Sequence, residues 1–238
     1  MNKNTNILLV HGAWADGSCW SKVLLLLKAQ GYNVTAAQIP LTSLADDIAV
    51  TQRLLSAQKE PTILVGHSYG GAVITGAGNG MPQVKALVYI TAFGLDAGES
   101  LASLSKQGPP SPGSAAIEAD DKGYLWINRE KFHSAFAADA TNDEAYLMAA
   151  VQKPLNLASF AGEEVAPAWK TIPSWYLVCT DDRMIPPPAQ EFMAKRMNAT
   201  VKSVASSHAA FMSQPEAVAD IVALAAQSVV KSLEMAAV

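Results

Sequence analysis

The chain has 238 residues, half of them hydrophobic and 16% charged, which fits one large domain with a buried core and excludes disorder driven by self-repulsion. Seventeen Lys plus Arg against 21 Asp plus Glu give a formal charge of −4, and the basic residues form no stripe that would follow a phosphate backbone, so no nucleic-acid partner is expected. The four histidines (His11, His67, His133, His208) and two cysteines (Cys19, Cys179) show no ligand spacing and no disulfide framework, so no metal is expected and a cytoplasmic location is favoured.

The first six residues are polar and the apolar run 7–10 is too brief for the core of a signal peptide. Later apolar stretches are interrupted well before the roughly 18 residues that span a bilayer, so no membrane association is expected. From residue 7 to about 93 short apolar runs alternate with longer amphipathic ones, the pattern of a parallel sheet with crossover helices. The runs 7–11, 33–37, 62–66 and 84–90 are expected strands, each of the kind buried on both faces.

Between them, 19–30 begins after the capping cluster Asp16-Gly17-Ser18 and stops at Gly31, with Trp20, Val23, Leu24 and Leu27 on one helical face that should pack on the sheet. In 44–57 the residues Leu44, Ile48, Thr51 and Leu55 fall at helical spacing, with Asp46, Asp47 and Arg53 expected outside. A third helix should start at Tyr69. From 96 to 170 the strand signal disappears: Gly108-Pro109-Pro110-Ser111-Pro112-Gly113 reads as irregular loop and the rest as short Ala-rich helices. Strands resume at 174–179 and 199–204, with helices at 189–197 and 215–233, the last fraying in the Ala-rich tail. The expected organisation is a core made of 1–95 and 171–238, interrupted by a cap over 96–170.

Gly66-His67-Ser68-Tyr69-Gly70 matches G-x-S-x-G between a strand and a helix, the context in which a sharp, strained turn raises a serine hydroxyl above a sheet edge. Ser68 is therefore the expected nucleophile. A hydroxyl attacks poorly unless a base takes its proton and an acid holds that base in the right tautomer. The chain order that goes with this motif is Ser, then Asp or Glu, then His. Asp181 and Asp182 follow the strand 174–179, and His208 follows 199–204 after Ala205-Ser206-Ser207; both fall at the carboxyl edge, where open α/β sheets place their sites.

His208 is the expected base, because His133, the other histidine beyond Ser68, lies in the cap. Asp182 is preferred as the acid because Asp182-Arg183-Met184-Ile185-Pro186 has the form D-x-x-I-P, leaving Asp181 as a turn residue. An oxyanion hole needs two converging backbone N–H groups, assigned to Tyr69 and to Ala13 in the loop His11-Gly12-Ala13-Trp14. Gly12, Trp14, Trp126, Met184 and Met212 are the expected substrate-binding residues.

With these motifs in hand, the sequence resembles the small α/β-hydrolases that include plant methylesterases, plant hydroxynitrile lyases and many bacterial esterases. The likeness runs through Leu9-Val10-His11-Gly12-Ala13-Trp14, Gly66-His67-Ser68-Tyr69-Gly70-Gly71, Thr180-Asp181-Asp182 with Ile185-Pro186, and Ser207-His208. It implies the α/β-hydrolase fold with a reduced, mostly parallel six-stranded sheet, flanking helices and a helical cap, and a small-molecule ester substrate cleaved without a cofactor. The lyases of the group carry a Thr in the first-strand loop and a Lys after the histidine; Gly12 and Ala209 stand here, so the resemblance favours a carboxylesterase. Two other readings remain, a C–C lyase and a slow-turnover small-molecule receptor on the same scaffold.

Overall fold

The computed structural model describes residues 5–236; most of the polar N-terminal stretch and the last two residues of the Ala-rich tail, whose fraying the sequence suggests, lie outside the described residues. In chain order the first half contains β1 (Asn6–Val10), α1 (Ser21–Ala29), β2 (Asn33–Ala36), α2 (Leu44–Ser56), β3 (Thr62–His67), α3 (Tyr69–Ala77) and β4 (Val84–Ile90). The next segment holds α4 (Leu101–Leu104), β5 (Ile117–Ala119), β6 (Tyr124–Ile127), α5 (Arg129–Phe136), α6 (Asn142–Val151), β7 (Leu155–Asn156) and α7 (Leu157–Ala161). The chain closes with β8 (Ser174–Cys179), α8 (Pro187–Arg196), β9 (Thr200–Val204), α9 (Ala210–Ser213) and α10 (Pro215–Ala236).

Six strands form one sheet in the order β2-β1-β3-β4-β8-β9, and every neighbouring pair in it is parallel. The α/β-hydrolase fold expected from the resemblance is thus present. β1 and β3 are buried along their whole length, as strands covered by helices on both faces must be. The 33–37 run departs from that expectation: β2 is an edge strand whose residues are exposed or half-buried, because it has a neighbour on one side only.

Local chemistry sets the helix boundaries. Asp16 accepts the Ser18 N–H at 2.7 Å and opens a 3-10 turn at Gly17–Trp20 that runs into α1, so the single expected helix is a tight turn followed by an α-helix. Gly31 ends it at φ +86°, a conformation glycine adopts without a steric penalty. Ser43 caps α2 by accepting the Asp46 N–H. One residue of α2 contradicts the sequence expectation: Asp47 is fully buried, since it lies on the same stripe as Leu44 and Thr51, three and four residues away.

Between β4 and β8 the sequence pattern suggests helices and loop, yet this segment also holds a three-stranded sheet in the order β5-β6-β7, antiparallel throughout. Strands of three, four and two residues are too short to carry a readable alternation. The segment is bound to loops that follow the core strands. Trp14, after β1, donates its backbone N–H to Lys153 O at 3.0 Å and its indole N–H to Leu125 O at 2.9 Å. Leu41, after β2, accepts the Asn156 N–H at 2.9 Å, and Arg183, after β8, accepts the Gly113 N–H at 2.7 Å. Since these loops all lie at the carboxyl ends of the strands, the segment covers that edge of the sheet.

Candidate active site

β3 ends at His67 and α3 begins at Tyr69, so the chain must reverse within one residue. Ser68 does so at φ 52°, ψ −122°, a strained conformation for a residue with a side chain. The turn works only because its neighbours are small. A Cβ on Gly66 would stand 2.5 Å from Gly70 O, and one on Gly70 would stand 2.5 Å from Val10 O. The loop after β1 passes equally close, since a Cβ on Gly12 would lie 2.8 Å from Ser68 Cβ. Ala13 is therefore carried to the rim of the turn, and the Tyr69 N–H opens α3 in the first helical turn, where amides have no upstream carbonyl.

His208 is fully buried, and its Nδ1 lies 2.7 Å from Asp182 Oδ2. A carboxylate accepts only, so Nδ1 carries the proton and Nε2 is left as the basic nitrogen. That Nε2 is buried and makes no hydrogen bond, to Ser68 or to any other group. The imidazole stands beside the strained turn, with His67 and His208 ring centroids 4.7 Å apart, and His67 Nε2 donates to the His208 carbonyl at 2.8 Å. Burial holds the His67 imidazole well below its usual range, so this neighbour stays neutral.

Asp182 is buried and Asp181 exposed, which distinguishes the two aspartates. Asp182 Oδ1 accepts the N–H groups of Met184 at 2.7 Å and Ile185 at 3.0 Å. Oδ2 accepts from His208, from Gln190 Nε2 at 3.2 Å and from the Thr91 hydroxyl. Neither Thr91 nor Gln190 carries a signal in the sequence, because a lone polar residue at a strand end or inside a helix is ordinarily a cap or a surface group.

An aromatic wall from the capping segment closes the site. Phe136 of α5 meets the His208 ring edge-on at 4.9 Å and the Trp14 ring at 6.4 Å, so one phenyl ring stands between Trp14 and the imidazole. Phe136 is missing from the sequence expectation, since an apolar residue on a short helix reads as ordinary packing. Met184 is half-buried against Gly113, where a Cβ would meet its sulfur at 2.5 Å. Met212, in α9, is half-buried and offers its carbonyl to Lys22 at 2.9 Å.

Trp126 is a correction. It is 37% exposed, donates its indole N–H to Asp120 at 3.1 Å and lines an outer groove with Glu118, Arg129 and Gln152. Alternation along β6 turns it to the opposite face from its neighbour Leu125, which packs against the core. His133 is half-buried in α5, its Nε2 3.0 Å from Ala140 O. Among the described residues no group of three or more His, Cys, Asp or Glu could hold a metal, and no helix is long and apolar enough to cross a membrane.

The comparisons with known proteins agree with this architecture. The chain is 28% identical to a pyrethroid hydrolase of Sphingobium wenxiniae, covering 92% of this chain and 86% of that protein, and 24% identical to methylesterase 1 of Arabidopsis thaliana, covering 92% and 94%. A crystal structure of a pyrethroid hydrolase from Sphingobium faniae JZ-2 superposes with a TM-score of 0.81 at 26% identity, covering 94% of this chain and 97% of that one. Relatives of this kind are esterase-type hydrolases, and the model of the alpha/beta hydrolase family matches residues 7–221; the chain belongs to that family.

Proposed function

We propose that the protein hydrolyses small carboxylic esters through an acyl-enzyme on Ser68. The observation that carries this reading is the buried His208, with Nδ1 bound to Asp182 and Nε2 left without a partner beside the strained Ser68 turn. Ser68 Oγ attacks the ester carbonyl as His208 Nε2 takes its proton, and Asp182 stabilises the resulting imidazolium. The Ala13 and Tyr69 N–H groups hold the tetrahedral oxyanion, and removing one such donor typically costs about 3 kcal/mol of transition-state stabilisation. His208 returns the proton to the departing alcohol, then activates a water that releases the acid.

Gly12 and Trp14 form the near wall of the ester site, with Met184 and Met212 at its margins. The pyrethroid hydrolase and methylesterase relatives make bulky apolar esters and methyl esters the first panel to try. Ala209 stands after His208, where the lyases of the group that the sequence resembles carry a Lys, which favours hydrolysis over the lyase reading. The decisive measurement is hydrolysis of a short-chain p-nitrophenyl ester. Ser68→Ala should lower kcat on the order of 10⁶-fold, and a variant as fast as the parent ends the proposal.

A further inference from the structure

Thr91 stands one residue beyond β4 at φ 38°, and for a β-branched side chain a positive φ is a genuine outlier that persists only where its surroundings impose it. It is fully buried, and its backbone N–H donates to Leu177 O at 2.9 Å, continuing the bonding of β4 to β8. The strained backbone directs the hydroxyl onto Asp182 Oδ2, the same oxygen that accepts from His208 Nδ1.

The residues on either side of Thr91 grip the serine. Ser68 N–H donates to Ile90 O at 3.3 Å, and Phe93 N–H donates to Ser68 O at 3.1 Å. Between them Ala92 is held twice by one buried phenol: its N–H donates to Tyr176 Oη at 3.0 Å, and that hydroxyl donates to Ala92 O at 2.6 Å. Gly71 leaves room for this passage, since a Cβ there would stand 2.6 Å from both Ala92 Cβ and Phe93 O. One short turn thus holds the backbone of Ser68 at two points and the carboxylate of Asp182 at a third.

We propose that Thr91 is a positioning residue: the turn 90–93 sets the separation of the serine from the acid, and the Thr91 hydroxyl holds the Asp182 carboxylate where it orients His208 toward Ser68. The role rests on the esterase reading above. Thr91 acts through Asp182 and His208, so its loss should lower the chemical step while leaving substrate binding largely intact.

The test compares the full-length parent with Thr91→Ala, Thr91→Val and Thr91→Ser by three readouts: kcat and KM on p-nitrophenyl acetate, the rate at which a fluorophosphonate labels Ser68, and the low-field proton resonance of His208 Nδ1–H. Small displacements of reacting groups cost up to about 100-fold, so the Ala and Val variants should lose about 10- to 100-fold in kcat with KM changed by less than about threefold. Their low-field proton should shift or broaden, and Thr91→Ser should restore both the rate and the resonance. If the hydroxyl-free variants do not fold, Thr91→Cys, a weak donor of similar size, decides: a reduced kcat supports the role and a parent-like kcat overturns it. A parent that leaves the fluorophosphonate untouched sinks the hydrolase reading itself. A parent that is labelled, while a folded Thr91→Ala is labelled as fast with an unchanged low-field proton, sinks the role of Thr91 alone.

Discussion

The Asp47 carboxyl accepts the Tyr69 hydroxyl at 2.5 Å and the Leu41 N–H at 2.8 Å inside the protein, and burial pushes it up from 3.8 to about 6. Between those values the folded chain holds a proton that the unfolded chain has released. The stabilisation from this group is therefore complete below about 3.8 and disappears as pH rises through about 6. Asp47→Asn carries no such charge, so between pH 4 and pH 7 the stability difference between variant and parent should move in the variant's favour by on the order of 3 kcal/mol at most. Thermal melts of both proteins at the two pH values check the sign; a difference that stays constant contradicts it. Gly70→Ala tests a steric limit instead. Its Cβ would press on the carbonyl oxygens of Val10 and His11 at 2.5 and 2.6 Å, backbone atoms of a central strand and its loop that have nowhere to go, and about 3 kcal/mol of stability should be lost in urea unfolding.

Residues at this scale differ in how much the sequence says about them. Ser68, Asp182 and His208 are legible because each follows a strand in a fixed chain order, so the motif and the topology reinforce each other. Asp47, Thr91 and Gln190 are not, since what distinguishes them is a partner 22 or 91 residues away in the chain, or a buried carboxylate eight residues back, and no local pattern encodes such partners.

At the scale of elements, the strands of the main sheet are readable wherever helices cover both faces, because burial demands a continuous apolar run. β4 and β8 match the expected bounds to the residue. The edge strand β2 keeps its expected place, 33–36 against 33–37, without the expected burial, whereas the small strands β5 to β7, of two to four residues each, carry no readable period. Helix ends are legible through their caps. The structure adds Ser43, which accepts the Asp46 N–H at 3.1 Å, and Ser43→Ala should cost about 1 kcal/mol in denaturant-derived stability with activity unchanged. A loss confined to activity would mean that the cap does something other than hold α2.

For the whole molecule, the capping segment is fastened to loops at the carboxyl edge of the sheet and to the approach of His208. Ser207, the preceding residue, donates its N–H to Asp139 at 3.0 Å and its hydroxyl to the same carboxylate, and Lys22 of α1 pairs with Glu144 of α6 at 2.6 Å. Beneath these fastenings Ser68 is 4% exposed and His208 is sealed off. On the esterase reading an ester must reach Ser68 past this segment, so for a substrate that reacts quickly its arrival, and not bond breaking, would set the pace. Thickening the medium with sucrose to about twice the viscosity of water should therefore roughly halve kcat/KM for the best ester, while a sluggish one, limited by its chemistry, keeps its rate.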